Sequence, residues 1–269
     1  MLVSGCLASL MGGLSLVGYA STPQLWLMVA LLLCSAGVLV VLFLRHESRA
    51  SDPIIDVDIL REKPFLAANI FNLVYGAGVL GVMSLVPLFS ISVYGVSYLE
   101  SGLILTPRAV GMFVTSLIVS MFMMRWGYRR PILAGTGLTM LSLVLLSLEP
   151  KHLTMLGQGL DSITVLSLIM LVMGMGVGLS APASNNACIE LMPERAATIT
   201  GIRGMFRQAG GAVSVTLATL VLHETGDPAA GFRIVFISLA VVMVATLPAI
   251  YAMPRSPRDT SCQRNSGRA

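Results

Sequence analysis

Long apolar runs alternate with short polar gaps along almost the whole chain. A helix needs about 20 apolar residues to cross the hydrocarbon core of a bilayer. The runs have that length, and they lack the strict alternation of a transmembrane barrel strand. Backbone polar groups in lipid must be bonded within their own segment, so each run predicts a helix. The eight predicted transmembrane helices are residues 2–20, 25–44, 65–90, 102–124, 131–149, 163–189, 203–222 and 233–252.

The most polar gap, residues 45–64, divides the chain into two parts. It carries acids as well as bases, which is typical of a cytoplasmic surface linker or a short interfacial helix. We therefore expect an all-α polytopic membrane protein with a two-helix hairpin at 1–44 and a six-helix bundle at 65–253. The polar residues 254–269 predict a disordered cytoplasmic tail.

Composition excludes a soluble globular protein. Charged residues make up 11% of the chain, against about 25% in soluble domains, and the mean hydropathy is +0.85. The pI of about 9.1 raises the question of a nucleic-acid partner. The bases form no stripe with interleaved aromatic residues, however, so they indicate anchoring to the lipid bilayer and no nucleic acid.

The basic residues also predict an orientation. All of the 17 Lys and Arg residues except Arg108, Lys151 and Arg233 fall within or beside every second gap, or in the tail. Short loops rich in Lys and Arg stay on the cytoplasmic side of a membrane. The pattern predicts a multi-pass protein of a bacterial-type inner membrane with both termini cytoplasmic. The chain opens directly in an apolar run, so we expect either that Met1 is an internal start or that preceding sequence has been lost.

The turn between the fourth and fifth spans reads SMFMMRWGYRRP over residues 120–131. It resembles the short basic loop of the major facilitator superfamily, of general form G-x-x-x-D-R-x-G-x-R-R. The matching positions are Arg125, Gly127, Arg129 and Arg130; Ser120 and Met124 stand where the family has Gly and Asp. The resemblance implies that spans three to eight are a C-terminal bundle and that this loop gates the cytoplasmic side during alternating access. Charge alone explains the arginines as a membrane anchor, and both roles can hold.

Residues 174–211 resemble the fourteen-helix drug:proton antiporter branch of that superfamily, with matches at Arg207, Gln208, Gly210 and Gly211. Residues 94–102 and 52–55 resemble it as well. The resemblance implies export of a small hydrophobic or amphipathic substrate, often cationic, in exchange for protons. It also implies that the first two spans are that branch's central helix pair and that the N-terminal six-helix half is missing from this chain.

Polar side chains at membrane depth are costly and usually face a bundle interior or a water path. Six of them are candidates for lining a substrate cavity: Asn69, Asn72, Tyr75, Asn185, Asn186 and Gln208. Hydrogen bonding between helices is the alternative. Pro182 follows three closely spaced glycines and predicts a helix bend, which either serves close packing or lets the helix rock. For Arg108 we expect either snorkelling to the surface or pairing with an acid.

Two functional hypotheses remain open. The first is the C-terminal part of a proton-driven multidrug exporter; the second is a non-transporting membrane remnant or partner subunit derived from one. An enzyme is disfavoured because no spans carry a nucleophile with a base or a metal-binding motif. The cysteines and histidines show no metal-ligand spacing, so we expect no metal and no cofactor.

Overall fold

The computed structural model describes residues 5, 8–9, 12–13, 16, 23–47, 63–149, 153–155, 158–190 and 196–252. The elements in chain order are α1 (Pro23–Glu47), α2 (Lys63–Tyr94), α3 (Tyr98–Trp126), α4 (Arg129–Ser147), β1 (Leu153–Met155), β2 (Gln158–Leu160), α5 (Ser162–Ile189), α6 (Ala196–Thr225), α7 (Pro228–Val244) and α8 (Thr246–Ala252).

Six helical spans in the described part of the chain are long and apolar enough to cross a membrane. They are Phe65–Tyr94, Tyr98–Trp126, Arg129–Ser147, Ser162–Ile189, Ile199–Thr225 and Pro228–Ala252, the last joining α7 and α8. These are the six spans predicted for the bundle, with several ends extended because the helices continue into the polar gaps. The two short strands pair antiparallel, Leu153 opposite Leu160, within the gap predicted at 150–162.

Most of the predicted first span, most of the linker at 45–64 and the tail at 254–269 lie outside the described residues. A Cβ atom at Gly5 would lie 3.5 Å from Leu39 Cδ1, and one at Gly12 would lie 3.9 Å from Leu32 Cδ1. An antiparallel partner of α1 would make such contacts. The two-helix hairpin, and with it the count of eight spans, stays a prediction.

The turn between α2 and α3 follows from its local sequence. Gly95 adopts a φ of 67°, a left-handed conformation that costs glycine nothing and lets a helix end. Ser97 then caps α3: its Oγ accepts from the Glu100 amide at 3.3 Å, and the Glu100 carboxylate accepts from the Ser97 amide at 2.8 Å. This capping box satisfies amide groups that would otherwise be unpaired at the start of α3.

Two glycine faces fix the position of α5 in the bundle. A Cβ atom at Gly174 would lie 2.1 Å from the Arg108 carbonyl oxygen, and one at Gly178 would lie 2.0 Å from Thr115 Oγ1, both on α3. Gly176 points elsewhere, where its Cβ would lie 2.7 Å from the Gly135 carbonyl oxygen on α4. Small residues let helices approach this closely in lipid. The close packing expected from the glycine run is therefore present on two sides of α5.

Close approach at glycines also joins α2 to α6. A Cβ atom at Gly76 would lie 2.1 Å from the Arg207 carbonyl oxygen, and one at Gly210 would lie 1.9 Å from the Leu73 carbonyl oxygen. Two close pairs are therefore α2 with α6 and α3 with α5, while α4 packs on α5 and α7 packs on α4 and α2.

The six spans are not covered equally. In their most apolar windows only 28% of the α3 residues and 22% of the α6 residues are buried, against 39–50% for the other spans. Large apolar side chains such as Phe113 and Leu217 are consequently exposed on these two helices.

Candidate functional site

A buried hydrogen bond between α2 and α5 marks the centre of the bundle. The Tyr75 hydroxyl, on a side chain only 2% exposed, bonds the Ser180 hydroxyl. Ser180 is itself fully buried, and its Oγ also lies 2.9 Å from the Gly176 carbonyl oxygen of its own helix. Buried hydroxyl groups require such partners. Tyr75 therefore lies inside the bundle with Ser180 as its partner, and its role in a substrate cavity stays a prediction.

A second polar connection joins α6 to α5 about one helical turn beyond Ser180. Arg203 donates from Nη1 to Asn185 Oδ1 at 2.8 Å and from Nη2 to Ser184 Oγ at 3.2 Å. Its Nε is buried without a partner in the described structure. Asn185 therefore links α5 to α6 and holds the Arg203 guanidinium inside the bundle.

Two further arginines approach the same region. Arg108 on α3 is 8% exposed and has a buried Nε with no partner among the described residues. Its guanidinium lies within electrostatic range of Tyr75 and of Arg207 on α6. The expectation for Arg108 was wrong in both of its forms: the side chain is buried rather than snorkelling, and it meets no acid in the described part of the chain. Arg207 also lies within electrostatic range of Arg203.

The other predicted cavity residues have different surroundings. Asn69 and Asn72 are buried, and each donates to the carbonyl oxygen four residues earlier in α2, at 3.0 and 2.8 Å. Asn72 Oδ1 lacks a partner within the described residues. Asn186 contacts the Met123 sulfur of α3 at 3.0 Å, and Gln208 is exposed on α6. The structure thus brings Tyr75 and Asn185 to the arginines, but not Asn186 or Gln208.

Pro182 lies within α5, which continues past it as a helix. Proline has no amide hydrogen, so the carbonyl of the residue four positions earlier, Gly178, loses its helical partner. Ser116 Oγ on α3 donates to that carbonyl at 3.3 Å. A neighbouring helix thus replaces the bond that Pro182 removes, as occurs in transmembrane helices. The role of Pro182 as a functional bend remains a prediction.

The predicted gating loop is a compact turn between α3 and α4. Gly127 ends α3 with a φ of 68°, and its amide donates to the Met123 carbonyl at 3.0 Å. Arg129 begins α4, where its guanidinium bonds the Tyr251 carbonyl of α8 and lies 5.1 Å from the Tyr251 ring centroid. Arg125 and Arg130 are exposed. The loop therefore docks on the last helix of the bundle through one of its three arginines.

Tyr128 holds the same loop to the end of α5. Its hydroxyl donates to the Glu190 carboxylate at 2.5 Å. Burial, together with this hydrogen bond and the charge of Glu190, raises the pKa of Tyr128 above its usual value, because each disfavours the phenolate. The phenol therefore stays protonated and serves as a donor.

Sequence reasoning missed Ser180, Ser184 and Arg203 as parts of the polar interior. Serines are common at helix contacts, and Arg203 was counted with the cytoplasmic bases because it lies near the start of its helix. One signal could have found the arginines: Arg108, Arg203 and Arg207 interrupt otherwise apolar spans that carry no acid in their middle.

Comparisons with known proteins agree with this architecture. The family model described as Major Facilitator Superfamily matches residues 1–215. The chain is 28% identical over 186 residues to the "Multidrug transporter protein MdtP" of Bacillus subtilis (strain 168), covering 68% of this chain and 33% of that protein. It is 27% identical over 199 residues to the "Drug efflux pump JefA" of Mycobacterium tuberculosis (strain ATCC 25618 / H37Rv), covering 74% and 38%.

A solved structure shares the fold. The bacterial homologue of the human lysosomal transporter Spinster, in an inward-facing and occupied conformation, superposes with a TM-score of 0.52 at 14% identity, covering 93% of this chain and 66% of that one. Against the two curated relatives above, the chain spans between a third and two-fifths of their length. The family match over residues 1–215 and the six apolar spans together show that this chain belongs to the Major Facilitator Superfamily and is a multi-pass membrane protein.

Proposed function

We propose that the chain is the C-terminal part of a proton-driven exporter of small hydrophobic or amphipathic compounds that works by alternating access. The observation that carries the proposal is the polar interior around Tyr75, to which α2, α3, α5 and α6 all contribute. Transporters bind substrate near the middle of the bilayer, between two helix bundles. Tyr75, Asn72 and Asn185 would contribute to one wall of such a site.

The unequal burial of the spans supports the presence of a second helix bundle in the working exporter. α3 and α6 leave most of their apolar windows unburied, and these helices also carry the three inner arginines. A second bundle would cover these helices and enclose the polar interior. On this proposal the facing bundle is the N-terminal six-helix half, and the predicted hairpin at 1–44 links the two halves.

The basic loop would act as a latch. Arg129 and Tyr128 hold the loop to α8 and α5, while Arg125 and Arg130 are exposed. Those two side chains are placed to contact a neighbouring bundle when the cytoplasmic side closes. Orientation with this loop and both termini in the cytoplasm follows from the positive charges.

The alternative is a non-transporting remnant or partner subunit. Ser120 and Met124 favour it, because they replace the Gly and Asp of the family's loop pattern, and both side chains are exposed. An exporter that had lost its cycle would have no need to keep these positions.

Export assays distinguish the exporter from the non-transporting remnant or partner subunit. The chain is expressed in bacteria that lack their main efflux pumps, alone and together with the N-terminal six-helix part of the exporter. Extrusion of a cationic probe, ethidium, and of an acidic probe, dansylglycine, is followed by fluorescence. We expect extrusion only in the combined form, abolished by a protonophore. Extrusion by the chain alone would contradict the two-bundle mechanism, and none in the combined form would favour the remnant.

A further inference from the structure

Three arginines lie around Tyr75 inside the bundle, and the Nε atoms of Arg108 and Arg203 are buried there. Arg108 comes from α3, and Arg203 and Arg207 come from successive turns of α6. Arg207 lies within electrostatic range of each of the other two, and all three lie within range of the Tyr75 hydroxyl. The Tyr75–Ser180 bond fixes that hydroxyl in place. Three positive charges therefore lie around the neutral Tyr75–Ser180 pair.

No acid balances them within the described bundle. Its carboxylates lie at helix ends or in turns, at Glu100, Glu149, Asp161, Glu190, Glu224 and Asp227. Arg203 is bonded only to neutral oxygens, those of Asn185, Ser184 and Ala181. Arg108 donates no hydrogen bond to any described residue, and its Nε is buried and unpaired.

Burying these positive charges costs free energy unless a group of opposite charge pairs with them. An arginine in a membrane span costs several kcal/mol, and the guanidinium does not lose its proton to escape that cost. Buried charges are kept where a partner of opposite charge and matching hydrogen bonds is present. The planar guanidinium matches a carboxylate or another oxyanion, which accepts two parallel hydrogen bonds from it.

We propose that the Arg108–Arg207 region binds an oxyanion carried by the transported compound, so that the substrates of this exporter are hydrophobic acids rather than cations. The inference rests on the proposed function and defines its substrate class. Tyr75 would donate or orient a hydrogen bond beside the anion, and Arg203, held by Asn185, would add positive potential from the cytoplasmic side.

Three matched fluorescent probes test this directly. Dansylglycine carries a carboxylate, its amide is neutral, and dansylethylenediamine is a cation, all on one aromatic group. Binding to the full chain in lipid nanodiscs is measured by the change in dansyl emission. We expect the carboxylate to bind at least about tenfold more tightly than the amide, as a hydrogen-bonded charge pair would give, and the cation to bind most weakly.

Variants locate the site. Arg108→Gln and Arg207→Gln should each remove most of the preference for the carboxylate over the amide. Arg108→Lys should recover part of the preference, since lysine restores the charge but not the paired hydrogen bonds. Arg233→Gln is the matched control, because Arg233 is exposed in the second turn of α7, and it should behave as wild type.

Equal binding of the three probes to the wild-type chain, or no binding of any of them, overturns the inference. It would then be a carboxylate of the facing bundle that neutralises the arginines. This result is separable from the export assay: a carboxylate preference without export leaves the inference standing and removes the proposed function. Export of ethidium without any preference for the carboxylate probe would leave the proposed function standing and overturn the inference.

Discussion

At the scale of single residues, close contacts in this bundle depend on the absence of side-chain atoms. Glycines at 174 and 178 sit where a Cβ would meet the backbone or hydroxyl of α3. Other glycines, such as Gly137, have open space around the missing Cβ. The sequence marks both kinds identically, and only the packing separates a required glycine from a replaceable one.

Gly174→Ala is therefore expected to destabilise the protein by about 1–3 kcal/mol, because the new methyl group collides with the Arg108 carbonyl rather than with a flexible side chain. Gly137→Ala is the matched control. It adds the same atoms on an exposed face of α4 and should leave stability unchanged or raise it by up to about 1 kcal/mol. Thermal unfolding in one detergent measures both, and equal melting temperatures for the two variants would contradict the packing.

At the scale of elements, hydrogen bonds from neighbouring helices replace backbone hydrogen bonds that are lost at proline, and they hold the turns at helix ends. Ser116 on α3 bonds the carbonyl that Pro182 frees in α5. The turn between α3 and α4 is held by Tyr128 to the end of α5 and by Arg129 to α8. The basic loop was identified from sequence, but its attachment to α8 depends on residues more than 120 positions away.

Tyr128→Phe should cost about 1 kcal/mol near neutral pH, the net value of one buried hydrogen bond. Because the pKa of Tyr128 is raised above 10 in the folded protein, its contribution is fully present below pH 10 and is lost as the pH rises further. The stability gap between wild type and variant should accordingly narrow from pH 7 to pH 11.

Chemical unfolding at a series of pH values measures this gap. Tyr98→Phe is the control, since Tyr98 is 85% exposed, and it should change stability little at any pH. A gap that stays constant or widens above pH 10 would show that the Tyr128–Glu190 bond is not what stabilises the turn.

At the scale of the whole molecule, the six membrane-length spans of the described residues pack into one bundle, and α3 and α6 are left largely uncovered. The orientation of this bundle is proposed from charge alone. Tyr98 lies at the turn predicted to face outward, and Arg130 lies in the loop predicted to face the cytoplasm.

Cysteine labelling in intact cells tests that orientation. The four native cysteines are replaced, and Tyr98→Cys and Arg130→Cys are introduced singly at exposed positions. A membrane-impermeant maleimide should label the first in intact cells and the second only after permeabilisation. The reverse pattern would invert the topology and with it the cytoplasmic assignment of the basic loop.

The sequence by itself determined the membrane class, the helical nature and the positions of six spans, because spans of apolar residues have one stable form in lipid and their length is set by the bilayer. It also carried the family resemblance through Arg125, Gly127, Arg129 and Arg130. These properties are local, and each is readable within a window of about 20 residues.

The tertiary structure decided which polar residues meet. Asn69 and Asn72 bond their own helix, whereas Tyr75 finds Ser180 at a separation of 105 residues and Arg203 finds Asn185 on another helix. Arg108 is buried among neutral groups and other arginines instead of reaching the surface. Periodicity indicates which face of a helix is polar, but the neighbour of that face depends on how the glycine contacts set the helices side by side, and that is a property of the assembled bundle.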